Sequence, residues 1–136
     1  MSSSLEEAKR VFDIEAQSIL DLKEGLGEAF EQAVDLLCAC EGKVVVAGMG
    51  KSGHIGRKIA ATLSSTGTPS LFLHPAESSH GDLGVVSSND CIIAISYGGG
   101  SGELNDLQTY ANRKGIPLIA LTGNLDSQLA QSSTAV

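Results

Sequence analysis

Val44-Val-Val-Ala-Gly-Met-Gly-Lys-Ser-Gly53 decides the fold. Its first four residues are apolar and three are β-branched, with no polar alternation, as in a strand covered on both faces. A glycine-rich turn follows at once. Ile55, Ile59, Ala60 and Leu63 then recur at helical spacing, which predicts a helix to about residue 65. Gly67 caps that helix and Pro69 prevents its continuation. A buried strand, a glycine turn and a helix make a βα unit, whose strand pairs in parallel with the next one.

The same rhythm repeats outward. Ser70-Leu-Phe-Leu-His74, Cys91-Ile-Ile-Ala-Ile95 and Pro117-Leu-Ile-Ala-Leu121 read as three further strands. A loop with one helical turn fills 75–86. Leu104, Leu107 and Ala111 face inward from a helix over 103–114 that Gly115 closes, and a short helix spans 127–132. The alternation calls for a fifth strand at Ala135-Val136, so the chain reads as cut short there. The fold class is α/β, a doubly wound parallel sheet. Ahead of it, 4–41 read as two amphipathic helices. Leu5, Ala8, Phe12, Ile19, Leu22 and Leu26 stripe the first, and Phe30, Ala33, Val34 and Leu37 the second. Ser4 with Glu7 makes a capping box at the start. Residues 1–41 are therefore expected to pack on the domain or at a subunit interface, and 42–136 to form the ligand-binding domain.

Composition narrows the function. A chain of 136 residues has room for one domain with a core. No apolar run approaches the ~20 residues of a membrane helix, and the start lacks the pattern of a secretory signal. Three cysteines, Cys38, Cys40 and Cys91, are read as reduced thiols in a cytoplasm. A net charge of −7 argues against a nucleic-acid partner. Ten of the 16 acidic residues lie within 1–41, whereas none lies between Gly42 and Ala76, where Lys43, Lys51, Arg57 and Lys58 fall. That acid-free stretch is a place for an anion.

In a parallel sheet, ligands bind beyond the carboxyl ends of the strands. Three loops reach that edge, at 48–54, 96–102 and 122–127. Each combines glycine with a hydroxyl: Gly50 and Ser52, then Gly99 with Ser96 and Ser101, then Thr122 and Ser127. Unpaired amides at helix starts favour phosphate. A P-loop is excluded, because Val45 stands where that motif requires glycine. Gly48, Gly50 and Gly53 satisfy the dinucleotide pattern, but the next strand ends in His74-Pro75 rather than in an acid for a ribose. His74, Glu77 and His80 recur at three-residue steps, a pattern open to acid–base chemistry, metal binding or structural hydrogen bonding. His54 reads as structural.

Gly48-Met-Gly-Lys-Ser-Gly-His-Ile-Gly-Arg-Lys58, Ser65-Thr-Gly-Thr-Pro69 and His74-Pro-Ala-Glu-Ser-Ser-His-Gly-Asp-Leu-Gly84 resemble the sugar-isomerase (SIS) domain of the arabinose-5-phosphate isomerase family. The resemblance covers residues from about 44 to 136. It implies interconversion of ribulose 5-phosphate and arabinose 5-phosphate through an enediol, supplying the lipopolysaccharide sugar Kdo. It also implies a cytoplasmic homotetramer, no cofactor or metal, no nucleic-acid or membrane partner, and in most members a following pair of CBS domains. By the same resemblance Lys51, Glu103 and His80 are catalytic. Gly50, Ser52, His74, Glu77, Ser96, Gly99, Ser101 and Thr122 bind the sugar phosphate. One turn departs from the family's usual Ser-x-Ser-Gly-Glu: here it is Ser96-Tyr-Gly-Gly-Gly100, without the second hydroxyl or the carboxylate. The family's further acidic and histidine positions lie past Val136, which implies binding with little turnover by this stretch alone. A non-catalytic sugar-phosphate sensor and a nucleotide-cofactor enzyme remain as alternatives.

Overall fold

A computed structural model describes residues 3–78 and 81–136. Two helices come first, α1 (Ser4–Glu24) and α2 (Glu28–Cys38). The repeating part follows: β1 (Val44–Gly48), α3 (Gly50–Ser65), β2 (Ser70–Leu73), α4 (Pro75–Ser78) and a 3-10 turn at Asp82–Val85. Then come β3 (Cys91–Ile95), a second 3-10 turn at Gly102–Leu104, α5 (Asn105–Lys114), β4 (Leu118–Leu121) and α6 (Gln128–Ser132). The strands form one parallel sheet in the order β2-β1-β3-β4, with Ala135 bridging to Ile119 in parallel beyond β4. This is the doubly wound α/β arrangement expected from the sequence.

Each strand feeds two cores because successive side chains point to opposite faces. Val45, Ala47, Ile92, Ala94, Leu118 and Ala120 face Leu104, Leu107 and Ala111 around α5, with Leu129 of α6. Val44, Val46, Cys91, Ile93 and Ile119 face Ala60 of α3, and Ala33, Leu36 and Leu37 of α2 close that layer. Burial on both sides explains why β1 carries no polar residue. Cys91 lies in this layer, where burial, reinforced by Cys40, pushes its thiol up to about 11; it stays protonated at neutral pH.

The turn between β1 and α3 depends on contact between backbones. A Cβ on Gly48 would lie 2.9 Å from the Ser52 carbonyl, and one on Gly53 would lie 2.7 Å from the Gly48 oxygen. Only paired glycines let α3 descend so close to the strand that precedes it.

Two local details differ from the sequence reading. Helix α1 begins one residue early, with Ser3 as its cap. The Ser3 hydroxyl accepts from the Glu6 amide at 3.2 Å, and the Ser3 amide donates to the Glu6 carboxylate at 2.8 Å. Ser3-Glu6 and Ser4-Glu7 have the same spacing, so the pattern could not choose between them. The helix expected over 103–114 opens instead as the 3-10 turn Gly102–Leu104 and turns α-helical at Asn105. Helix α2 packs on the sheet, whereas no residue of α1 is buried.

At the opposite end from the glycine turns, Asp90 ties the sheet's amino edge together. It is 3% exposed and accepts from the Lys43 amide at 2.9 Å, the Lys43 ammonium at 2.7 Å and the Ser87 amide at 2.8 Å. Burial alone would raise this carboxyl; the bonds from Lys43 and Ser87 outweigh burial and hold it below its ordinary value. A depressed folded-state value means stability that is present above the unfolded carboxyl pKa and lost as pH falls through the folded one. Asp90→Asn should cost roughly 2–3 kcal/mol in urea unfolding at pH 7. The gap from the parent should close below about pH 4; a pH-independent gap would show that the charge is not what matters.

Candidate functional site

The strand order reverses direction between β1 and β3. From β1 the chain crosses to β2 on one side, and it then returns to lay β3 on the other. The loops leaving β1 and β3 therefore diverge from neighbouring strand ends, where Gly48 is paired with Ile95. Such a switch point opens a crevice at the carboxyl edge of the sheet.

One wall is the start of α3. Met49 is extended at the cap position and offers no side-chain cap to the helix amides. Gly50 follows in the left-handed region at φ 55°, with open space where a Cβ would be. Lys51 is exposed on the first turn and Ser52 half-buried. A 16-residue helix with uncapped amides beside a lysine is electropositive at this point.

The other wall is the loop after β3. The Ser96 hydroxyl accepts from the Gly99 amide at 3.1 Å, folding the glycine run back on itself. Gly99, at φ 67°, is buried, and a Cβ there would overlap the side chain of Ser127. Its carbonyl accepts from the Leu129 amide at 3.1 Å. The loop after β4 is bonded onto this one. The Gly123 amide donates to the Tyr97 carbonyl at 2.9 Å, the Thr122 hydroxyl donates to the same carbonyl at 3.2 Å, and Thr122 accepts from the Asn124 amide. Ser127 caps α6 by accepting from the Ala130 amide. The second and third loops thus meet, but Gly99, Thr122 and Ser127 are engaged in joining them. The hydroxyls of Ser52, Ser96 and Ser101 take no part in that junction.

Glu103 lies in the 3-10 turn ahead of α5. The Ser101 hydroxyl donates to its carboxylate at 2.6 Å. That bond, with help from its own amide, lowers the Glu103 carboxyl below its ordinary value. The segment after β2 comes up beside it, since α4 packs against both the Gly102–Leu104 turn and α5. Glu77 in α4 is exposed; its amide donates to the His74 carbonyl at 3.0 Å. His74 meets Phe72 edge-on at 6.4 Å, and its buried Nδ1 has no hydrogen-bond partner among the described residues. His80 lies outside the described residues. Among those described, no three His, Cys, Asp or Glu side chains come together as metal ligands would.

A cavity of about 170 Å³ opens between α3 and the end of β2, lined by Gly50, Gly53, His54, Arg57, Phe72 and His74. The Arg57 guanidinium lies 4.2 Å from the centre of the Phe72 ring. Sequence reasoning counts Arg57 among the cations of the acid-free stretch and gives His54 a structural role. Their spacing from Lys51, three and six residues on, already puts all three near one face of α3. What the spacing cannot show is that Phe72 supplies the floor.

The comparisons accord with this geometry. Residues 37–136 match the SIS domain family. Over its whole length the chain is 49% identical to arabinose 5-phosphate isomerase GutQ of Salmonella typhimurium, of which it spans 43%. Among solved structures, a candidate phosphosugar isomerase involved in capsule formation in Bacteroides fragilis superposes with a TM-score of 0.91 at 40% identity. That match covers 98% of this chain and 71% of the other. The protein c3406 of Escherichia coli CFT073, solved in complex with arabinose 5-phosphate, gives a TM-score of 0.81 at 35% identity over 98% of this chain and 73% of that one. The glycine turn on which α3 descends, the 2-1-3-4 parallel sheet and these matches lead to one conclusion: the chain belongs to the SIS domain family.

Proposed function

We propose that this chain is the substrate-binding and isomerising domain of an arabinose 5-phosphate isomerase, interconverting D-ribulose 5-phosphate and D-arabinose 5-phosphate for Kdo and lipopolysaccharide synthesis. The observation that carries the reading is the switch in strand order between β1 and β3, with Lys51 on the first turn of α3 after β1 and Glu103 in the turn after β3. The phosphate dianion suits the uncapped start of α3, with Ser52, Ser96 and Ser101 as hydroxyl donors around Gly50. His74, Glu77 and His80 belong to the segment that would meet the sugar hydroxyls.

The chemistry requires one proton to change carbons. From the ketose, Glu103 takes a proton from C1 while the electron pair of that C–H bond moves into a C1–C2 double bond. The C2 carbonyl becomes an oxyanion, which the Lys51 ammonium stabilises. Return of the carbon-bound proton to C2, with transfer of the hydroxyl proton from O1 to O2, leaves the aldehyde at C1. His80 is assigned to this hydroxyl proton. No cofactor enters the balance, because oxidation at one carbon equals reduction at its neighbour. The cytoplasm, where the phosphorylated substrate is made, is the location that fits three free thiols.

The reading includes a homo-oligomer, a tetramer, assembled through α1. Leu5, Phe12, Ile19 and Leu22 are 65%, 71%, 68% and 69% exposed, and with Leu26 they follow steps of seven, seven, three and four residues. A seam of that period fits another helix. Six acids against three bases on α1 disfavour an anionic membrane as its partner. A second copy presents the same stripe. Phe12→Glu with Ile19→Glu should lower the mass measured by light scattering while the circular dichroism of the α/β part persists; an unchanged mass would remove α1 from assembly.

Lys51→Ala should lower kcat/KM by about 10²–10³-fold and Glu103→Gln by about 10²–10⁴-fold. Deuterium uptake at C1 of ribulose 5-phosphate should fall in parallel. Near-normal turnover in either variant would strip that residue of its role. These measurements are made on the full-length protein, in which tight binding of pentose phosphate with no exchange would favour a sensing module instead.

A further inference from the structure

Ser101 has one hydroxyl proton to donate and two acceptors that want it. In this structure the acceptor is Glu103, at 2.6 Å. Ser101 occupies the cap position of the Gly102–Leu104 turn, yet its side chain does not cap that turn. Its donor is committed to the carboxylate. A phosphate dianion in the crevice is the competing acceptor, with three oxygens and more negative charge.

We propose that Ser101 is a phosphate-operated clamp on Glu103: it holds the carboxylate until the substrate's phosphate takes over its hydroxyl, and so frees Glu103 to act on the sugar only when a phosphosugar is seated. The proposal rests on the reading of Glu103 as base and of this loop as a phosphate site, and it adds the coupling between them. Ser101 is then a positioning residue toward the carboxylate as well as a ligand of the phosphate.

The physical consequence is a change in basicity. A carboxylate that accepts a hydroxyl bond is a weaker base, and Ser101 is the first cause of Glu103's lowered value. Handing the hydroxyl to phosphate removes that restraint and moves Glu103 toward the working pH, where a general base is most effective. Other groups near the turn do not supply such a switch. Helix α4 brings Glu77 and the first turn of α5 brings Asp106; both are carboxyls. Tyr110 of α5 donates its hydroxyl to the Val86 carbonyl at 3.0 Å, and Arg113 and Lys114 are at the far end of that helix. The clamp also makes the phosphate act on rate as well as on affinity. A pentose without phosphate would leave Glu103 held, so the distal group's binding would be used at the reacting carbon.

The test is a carbon-13 NMR titration of the Glu103 carboxyl, assigned by its absence in Glu103→Gln. It is read with and without saturating arabinitol 5-phosphate, which cannot isomerise. In the parent protein, the probe should raise the Glu103 midpoint by roughly one pH unit from loss of one hydroxyl bond to the carboxylate. A nearby dianion also raises it by repulsion, so the decisive comparison is Ser101→Ala. There the midpoint should start higher, and the probe-induced rise should shrink by the hydroxyl's share; Ser101→Thr should restore the parent behaviour. An equal rise in Ser101→Ala and parent would overturn the clamp while leaving phosphate binding intact. Failure of the probe to perturb the amides of Gly50, Lys51 and Ser52 would overturn the binding reading itself, and the clamp with it.

Discussion

Gly48 is hydrogen-bonded into the sheet, paired with Ile95 across β1 and β3, and it also carries the underside of α3. The rest of the site depends on this close packing of backbone on backbone. Because the Gly53 position lies almost against the Gly48 oxygen, α3 starts immediately beyond the sheet edge and its first amides open at the level of the β3 loop. A methyl group at either position would push the helix outward by a fraction of its contact distance. The uncapped amides of α3, the lysine on its first turn and the cavity beside His74 would move with it. Core packing secures the arrangement from below. Val44, Val46 and Ala60 fix α3 on one face, while Val45, Ala47 and Leu107 fix α5 on the other.

The strands were legible because double-sided burial leaves them no polar residue, and Val44 to Ala47 has no other simple reading. The topology followed from alternation with helices. The helix cap was misplaced by one residue because Ser3-Glu6 and Ser4-Glu7 present the same chemistry in the same spacing. Three features of the site were beyond any local pattern. Gly99 is glycine because Ser127, 28 positions along the chain, packs against it; no window around Gly99 contains that information. Thr122 reads as a ligand hydroxyl in sequence, and its bond to the Tyr97 carbonyl is invisible there. Arg57 gains its place from Phe72 on the next strand. Long-range contacts decide such cases, and spacing carries none of them.

The exposed stripe of α1 is a different kind of gap. Its period was readable, and so was the need to cover it. An isolated helix of 21 residues with its large apolar side chains in water is marginal, since helices in proteins draw most of their stability from packing. The sheet satisfies its own two faces without it: α2 and α3 close one, α5 and α6 the other. No residue of α1 is buried against these layers. On the proposed reading a second copy covers the stripe, for which an apolar seam of heptad spacing is suited.

Hydroxyl use at the site shows how three consecutive glycines can replace a serine-rich turn. The family's usual phosphate turn carries two serines, whereas here Gly98 and Gly100 flank a glycine held by Ser127. Glycines donate amides without side chains that compete for them, but they must be ordered at an entropic cost. The ordering comes largely from the loop after β4. Gly123 and Thr122 bind the Tyr97 carbonyl, Leu129 binds the Gly99 carbonyl, and Ser96 binds the Gly99 amide. Four bonds fix one short turn, so its remaining amides are positioned before any ligand arrives. The Thr122 hydroxyl proton is used in that bracing, whereas Ser96 only accepts there and keeps its own proton to donate. With Ser52 and Ser101 it makes three hydroxyl donors, of which Ser101 is the one that reaches a carboxylate. If this loop binds phosphate as proposed, the Ser101 hydroxyl would join that recognition to the state of Glu103 through a single proton.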